Sequence, residues 1–260
     1  MMDRHTEPRE EHMPESPRSP EALEWGRGLA GRVADALGRA IAAGDHAPGT
    51  VLRTEDLEER FTVSRTVVRE AVQALQAKRL LRSSPRVGLT VRPMAEWHLY
   101  DPDVIRWRLA GPARTALLDE LTELRGAVEP TAAAAAARRG DREQRTKLLE
   151  CSARMRAAAA AKDRKAFLEA DVDFHRQVLR MCGNPLFAQL APVTEELLRG
   201  RAELKLLPSA PDPADANRHD AVAVAVAAGD AQGAEAAMRA VVAESLADIH
   251  MRLDAREIEL

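Results

Sequence analysis

At 260 residues, with 30% charged and only 3% aromatic side chains, the chain can form two modest domains and favours helix packing over sheet sandwiches. Two cysteines, Cys151 and Cys182, exclude a disulfide framework and a cysteine-built zinc fold and fit a reducing cytoplasm. No apolar run approaches the roughly 18 residues of a membrane span, while the net charge of −3 conceals a basic stretch from Arg60 to Arg92, where eight Arg and Lys residues meet one acid, Glu70. Such a stretch is what phosphate binding requires, and equally what a solvated basic face would show.

In chain order, residues 1–24 are charged and Pro-rich with no apolar segment, so they read as a disordered tail and not as a signal peptide. A helix is expected over about 29–43, where Leu29, Val33, Leu37, Ala40 and Ile41 recur at spacings of three and four and Gly44 stops the run. A second helix should begin at Thr54, a good N-cap followed by Glu55 and Asp56. A third should follow Ser64 and turn Val67, Val68, Ala71, Val72 and Leu75 toward a core. Leu80 to Val91 reads as two short strands about a turn. Three helices and a two-stranded wing make a winged helix-turn-helix, assigned to residues 25–95.

Residues 96–112 are expected to be a linker, with a helix start at Asp101-Pro102-Asp103. Helical periodicity then dominates, at about 113–139, 141–161, 163–182, 185–206, 214–228 and 230–256. Short breaks between helices predict an antiparallel all-α bundle over residues 113–256. The run Ala132–Ala137 suits a closely packed helix within it. The fold class is therefore mainly α, a winged helix-turn-helix followed by a helical bundle.

Two regions carry chemistry. Ser64 stands where it can cap the third helix and offer donors to a phosphate. Arg65 and Arg69 lie one turn apart on one face of that helix, near the end that a recognition helix presents to the major groove. There an arginine can bond guanine O6 and N7 together. Arg86 and Gly88 sit at the wing tip, where the backbone can approach a duplex and Arg86 can reach phosphate or the minor groove.

In the bundle, polar residues stand at positions that should be apolar. Asp171 and His175 fall in the stripe of Phe167, Leu168, Phe174, Val178 and Leu179; His219 shares a face with Val222, Ala223 and Val226; Arg125 lies with Leu118, Leu121 and Val128. A carboxylate and two imidazoles inside a bundle suit a borderline divalent cation such as zinc or nickel. An inward arginine suits the carboxylate of a metabolite. The other reading is an internal network, with Arg125 paired to Asp171 or Glu129 and the histidines hydrogen-bonded.

The segments Ala47–Leu52, Val63-Ser64-Arg65-Thr66-Val67-Val68-Arg69-Glu70-Ala71 and Gly88–Val91 resemble the GntR family of bacterial regulators. The stretch between Leu52 and Val63 is one residue shorter than the family pattern. The resemblance implies a DNA-contacting set of Arg53, Ser64, Arg65, Thr66, Arg69, Arg86 and Gly88. The pieces Glu123–Pro130, Asp171–His175, Gly183–Leu186 and His219–Asp230 are similar to the FCD effector domain of the FadR subfamily. That likeness implies a metal at Asp171, His175 and His219 and an effector held by Arg125, Glu129 and the same three residues. The family's fourth ligand position is occupied here by Val241, so at most three protein ligands remain. The connector Trp97–Trp107 is similar to that of sugar-acid-responsive members of the galactonate type.

These readings together predict a cytoplasmic homodimer that binds double-stranded operator DNA. It is expected to be a repressor released by a small carboxylate effector, an aldonate being favoured, with activation as the other open sign. Two other classes stay open: a metal-dependent helical-bundle enzyme acting on a small acid, and a non-specific architectural DNA binder.

Overall fold

Apolar side chains at helical spacing decide the first half of the chain. The computed structural model describes residues 28–84, 87–208 and 210–257; the expectations for the tail at 1–24 and for Arg86 lie outside these residues. Helix α1 (Leu29–Ala43) buries Val33, Leu37, Ala40 and Ile41 and ends at Gly44 in the left-handed conformation; Leu29, expected on the same stripe, is exposed. Helices α2 (Thr54–Phe61) and α3 (Arg65–Ala77) follow. The N-cap of α2 is Arg53 and not Thr54, whose backbone is already helical. The basic helix end and left-handed Thr62 turn the chain into α3 through three residues.

Strands β2 (Leu81–Ser84) and β3 (Gly88–Val91) form the wing. A third strand, β1 (Val51–Leu52), pairs antiparallel with β3 and gives the sheet order β1-β3-β2. Sequence reading did not find β1, because two residues have no periodicity of their own; Thr90 and Leu89 opposite them define the strand. Gly88 has φ +108, and a Cβ there would meet the Leu52 carbonyl oxygen at 3.1 Å, so this corner of the wing requires glycine.

The expected linker holds helix α4 (Pro102–Leu109), capped by the Asp101 carboxylate with Pro102 in the first turn. It is built into two cores. Val104 and Trp107 join the core of α1, α3 and the wing. Ile105 and Leu109 join a second core with Leu117, Leu118, Val193 and Leu197. The Trp107 indole N–H donates to the buried Asp35 carboxylate at 2.8 Å, and its ring lies where a Cβ on Gly38 would be, 2.5 Å away.

The bundle consists of α5 (Arg114–Arg139), α6 (Arg142–Ala160), α7 (Arg164–Met181), the short α8 (Pro185–Ala188), α9 (Ala191–Glu203), α10 (Pro213–Ala228) and α11 (Ala231–Glu257). The expected single helix over 185–206 is broken at Gln189 and Leu190, where Pro192 in the first turn of α9 cannot continue the preceding hydrogen-bond ladder. Ala132 to Ala137 are all buried, so α5 runs as a smooth central rod against its neighbours. Among the described residues no helix is long and apolar enough to cross a membrane.

Candidate DNA-reading face and buried ligand site

Helix α3 packs Val68, Ala71, Val72 and Leu75 inward, which leaves the other face to water. Arg65, Thr66 and Arg69 are exposed there, and so are Ser64 before the helix and Arg53 before α2. Ser64 is the N-cap by position, with extended backbone, but its hydroxyl makes no cap hydrogen bond. The first-turn N–H groups and that hydroxyl thus remain available as donors, while the expected side-chain cap is not formed.

The side chains of Arg53, Arg65, Arg69 and Arg82 have no ion-pair or hydrogen-bond partner among the described residues. Not every cation of the basic stretch is free. Lys78 bridges Asp101 and Asp103 at 2.8 Å each, and Arg92 pairs with Glu96 at 2.6 Å. These two fasten α4 and the end of the wing, and Arg60 lies 3.4 Å from His46 Nε2, so among the described residues Arg65, Arg69 and Arg82 belong to the unpaired part of the stretch. Gly88 lies half-buried at the β3 end of the wing.

The second site is inside the bundle. Arg125 and Glu129, one turn apart on α5, are 3% and 1% exposed. Arg125 donates from Nε to Glu129 Oε1 at 2.8 Å and from Nη2 to Oε2 at 3.2 Å. Glu129 also accepts from the Thr194 hydroxyl of α9 at 3.0 Å, and its Oε2 lies 2.9 Å from His175 Nδ1. Burial alone would push this carboxyl up, but Arg125 and His175 hold it well below the usual range. The internal network weighed from the sequence is therefore present in its Arg125–Glu129 form.

That network does not exhaust the site. The Nε2 atoms of His175 and His219 are 3.3 Å apart, and each is 3.2 Å from Asp171 Oδ1. An ion about 2.1 Å from each of three such atoms would give ligand–ligand edges of about 3.0–3.4 Å, so the triangle has the right size. Asp171 Oδ1 is buried and has no hydrogen-bond partner among the described residues despite its two close neighbours. The outer nitrogens are already engaged: His219 Nδ1 with the Asp215 carbonyl oxygen at 2.8 Å, His175 Nδ1 with Glu129. Each imidazole thus has its Nδ1 held by an acceptor and its Nε2 beside Asp171 Oδ1, as hydrogen-bonded carbonyls and carboxylates orient metal-binding histidines, and His175 Nε2 also lies 3.1 Å from Arg125 Nη2. Asp171, His175 and His219 are the cluster of donors placed close enough to hold a cation, and Val241 lines the same pocket with Arg125.

Several lining residues were not singled out from the sequence. Arg201 on α9, Asp215 on α10 and Asp248 and Ser245 on α11 all face this pocket. Arg201 and Ser245 are buried and bonded to each other, Nη1 to Oγ, at 2.6 Å. In Leu197-Leu198-Arg199-Gly200-Arg201 the two arginines are indistinguishable by sequence, yet Arg199 pairs with Glu169 and Glu195 outside while Arg201 points in.

The charges of the site set a pH signature. Burial pulls the His219 pKa down, but Asp171 and Asp215 outweigh it and raise it to about 10. The Asp171 carboxyl is disfavoured by burial, yet the two imidazoles hold it far below its ordinary value. A raised histidine stabilises the fold fully below its unfolded pKa and loses that contribution as pH climbs through its folded value. A depressed carboxylate contributes above its unfolded pKa and loses it in acid. Chelator-treated protein should accordingly melt highest between about pH 4.5 and 6.5, with a decline toward pH 10 that His219→Gln flattens. Added zinc or nickel should stabilise progressively more as pH rises, because metal and proton compete for His219 Nε2. A flat melting profile from pH 7 to 10 in the chelated protein would show that His219 is not charged in the folded state.

Comparison with known proteins follows the same division. Residues 29–91 match the family model for bacterial regulatory proteins of the gntR family, and residues 120–244 match that of the FCD domain. The galactonate operon transcriptional repressor of Escherichia coli K12 is 33% identical over 82% of this chain and 93% of its own. The probable D-xylose utilization operon transcriptional repressor of Paenarthrobacter nicotinovorans is 29% identical over 84% of this chain and 87% of its own. Among solved structures, Lar, which controls the expression of the Listeria monocytogenes agr system, superposes with a TM-score of 0.58 at 17% identity, covering 86% of this chain and 98% of that one. The fold is shared with E. coli McbR/YncC as well, at a TM-score of 0.51 and 19% identity over 87% and 99% of the two chains.

Proposed function

The chain belongs to the GntR family of bacterial regulatory proteins and carries an FCD domain behind its winged helix, and from that premise we propose that it is an operon repressor released by a sugar-acid carboxylate. Its family and its named relatives are transcription regulators and not enzymes, which sets the enzyme reading aside. The observation that carries the proposal is the pairing of an exposed, unpartnered Arg65–Arg69 face with a buried, incompletely satisfied pocket in one chain.

Arg65 and Arg69 read base edges in the major groove, Ser64, Thr66 and Arg53 meet phosphates, and the wing brings Gly88 and Arg86 to the backbone or minor groove. A homodimer presents two such faces to the half-sites of a pseudo-palindromic operator in the cytoplasm. In the bundle, Arg125 receives the effector carboxylate, and Glu129 positions Arg125 and His175 from behind. Asp171, His175 and His219 would hold zinc or nickel, whose bound form supplies a Lewis-acid anchor for effector oxygens. With Val241 beside them, three protein ligands leave room for those oxygens.

Helix α9 joins the two sites. Its inner face carries Thr194, Leu198 and Arg201 to the pocket. Its outer face holds α4, through Glu196 bonded to Arg106 at 2.8 and 3.2 Å and through Gly200, which lies against Leu109. Trp107 of α4 is in turn locked onto α1. An inducer must bind the DNA-incompetent arrangement of this chain of contacts more tightly than the competent one.

D-Galactonate, chosen because a relative is named for its operon, is the first probe. It should raise the melting temperature and release operator DNA, and a chelator should weaken both effects. Galactitol, the same polyol without the acid, should do neither. If no sugar acid stabilises the protein or shifts its operator affinity, the effector reading fails while the DNA-reading face is untouched.

A further inference from the structure

We propose that Arg201 is a second anchor for the effector carboxylate, gripping it jointly with Arg125 beside Val241; the proposal rests on the sugar-acid reading above. Arg201 is only 6% exposed. Its Nη1 donates to Ser245 Oγ at 2.6 Å, while its Nε is buried with no hydrogen-bond partner among the described residues. It forms no ion pair among those residues either. The other buried guanidinium of the pocket, Arg125, has its own carboxylate in Glu129, and buried Arg108 has Glu120 at 3.0 Å. A guanidinium confined with one serine hydroxyl is a costly arrangement unless an acceptor arrives.

The acceptor has a place to stand. Arg125 Nη1 is also buried and unpartnered, and both arginines line the pocket that Val241, Asp171 and His175 share. The charges around Arg201 favour binding of an anion: burial and the nearby Arg125 both work against its protonated form, and Asp171, Asp215 and Asp248 attract it without reaching ion-pair distance. Two orphaned N–H groups from two guanidiniums in one cavity match the two oxygens of one carboxylate, one oxygen to each arginine. A neutral hydroxyl would satisfy the geometry of one donor but leave the Arg201 charge without an ion-pair partner at contact distance. Val241 contributes neither donor nor acceptor and leaves the polar contacts to the two arginines.

The same residues suit the rest of a hydroxylated acid. Arg201, Asp171, Asp215 and Asp248 also wall an adjoining chamber with Phe167 and Pro208, where carboxylates can accept from sugar hydroxyls. Arg201 follows directly on Gly200, whose Cα lies against Leu109 of α4. An anion drawn onto Arg201 therefore acts one residue from the contact that holds the DNA-binding half.

Arg201→Met keeps the length of the side chain and removes its charge. The expected result is D-galactonate binding weakened roughly 10- to 100-fold by calorimetry, the worth of a charged hydrogen bond. Ligand-free melting temperature should be unchanged or raised, because an uncompensated buried charge has gone. Operator affinity without ligand should be unchanged, and Arg201→Lys should fall between parent and Arg201→Met in ligand binding. Parental affinity for D-galactonate in Arg201→Met, or a drop of several degrees in its ligand-free melting temperature, overturns the proposal and leaves Arg201 a structural residue. Should the parent bind neither D-galactonate nor any other sugar acid, the sugar-acid reading fails, and acetate titration then decides for Arg201. Weaker acetate binding in Arg201→Met keeps it as a carboxylate anchor, and equal binding removes it.

Discussion

Replacing Arg65 and Arg69 together by alanine should cost roughly 2–6 kcal/mol of specific operator binding, since each arginine bonded to a guanine edge discriminates by about 1–3 kcal/mol. Both side chains are exposed at the start of α3 and unpartnered in the described protein. Their loss should therefore leave the melting temperature unchanged, within the roughly ±0.5 kcal/mol typical of surface sites. That combination separates a reading residue from a folding residue. Fluorescence titration of an operator fragment, obtained by selection with the parent protein, provides the measurement. Binding to random DNA should fall less, because the exposed Arg53 and Arg82 remain to neutralise phosphates. An altered Arg82→Ala, by contrast, should weaken all sequences alike and reduce the salt dependence by about one phosphate contact. If the double variant retained parental affinity and the parental ratio of operator to random DNA, α3 would not be the recognition helix. The architectural alternative makes the opposite demand on the parent itself: similar affinity for both DNAs at one salt concentration.

The DNA-binding half was legible because its code is local. Apolar spacing fixed α1 and α3, Gly44 marked the end of one, and Ser64 the start of the other. What escaped was non-local. β1 exists through its pairing with β3, and the hydroxyl of Ser64 faces outward where local rules made it a cap. In the bundle, the inward placement of Arg125, Asp171, His175 and His219 could be read from helical faces, since each falls among apolar neighbours one turn away. Arg201 could not, because it sits next to Gly200 in a helix carrying four other charged residues, and only the tertiary position of α11 with Ser245 shows which side is inside. The connector was similarly opaque. Its aromatic residues fitted simple packing against both halves, whereas α4 contributes alternate faces to two separate cores and bonds both α1 and α9. Periodicity over eight residues cannot distinguish a linker helix from a wedge.

Glu129→Ala should be the most destabilising single change in the bundle, by about 3–5 kcal/mol, the cost of leaving a buried ion pair half-made. Glu129 alone neutralises Arg125, orients His175 through Nδ1 and accepts from Thr194, and all four groups are buried. Alanine would strand a guanidinium, an imidazole N–H and a hydroxyl at once, and each would have to find water or expel its charge. Urea titration at pH 7 measures the loss. Arg125→Met added to Glu129→Leu should recover the share due to the stranded guanidinium, because a buried pair replaced by apolar side chains of similar volume is often neutral or stabilising, while the His175 and Thr194 donors stay unpaired. The recovered protein then becomes the informative one. With a packed bundle and an intact α3 it should bind operator like the parent and need at least about 10- to 100-fold more D-galactonate for release, staying repressed at concentrations that release the parent. Rescue of both stability and ligand response would instead mean that Arg125 and Glu129 serve only to hold α5 to α9, and that the acid is recognised elsewhere.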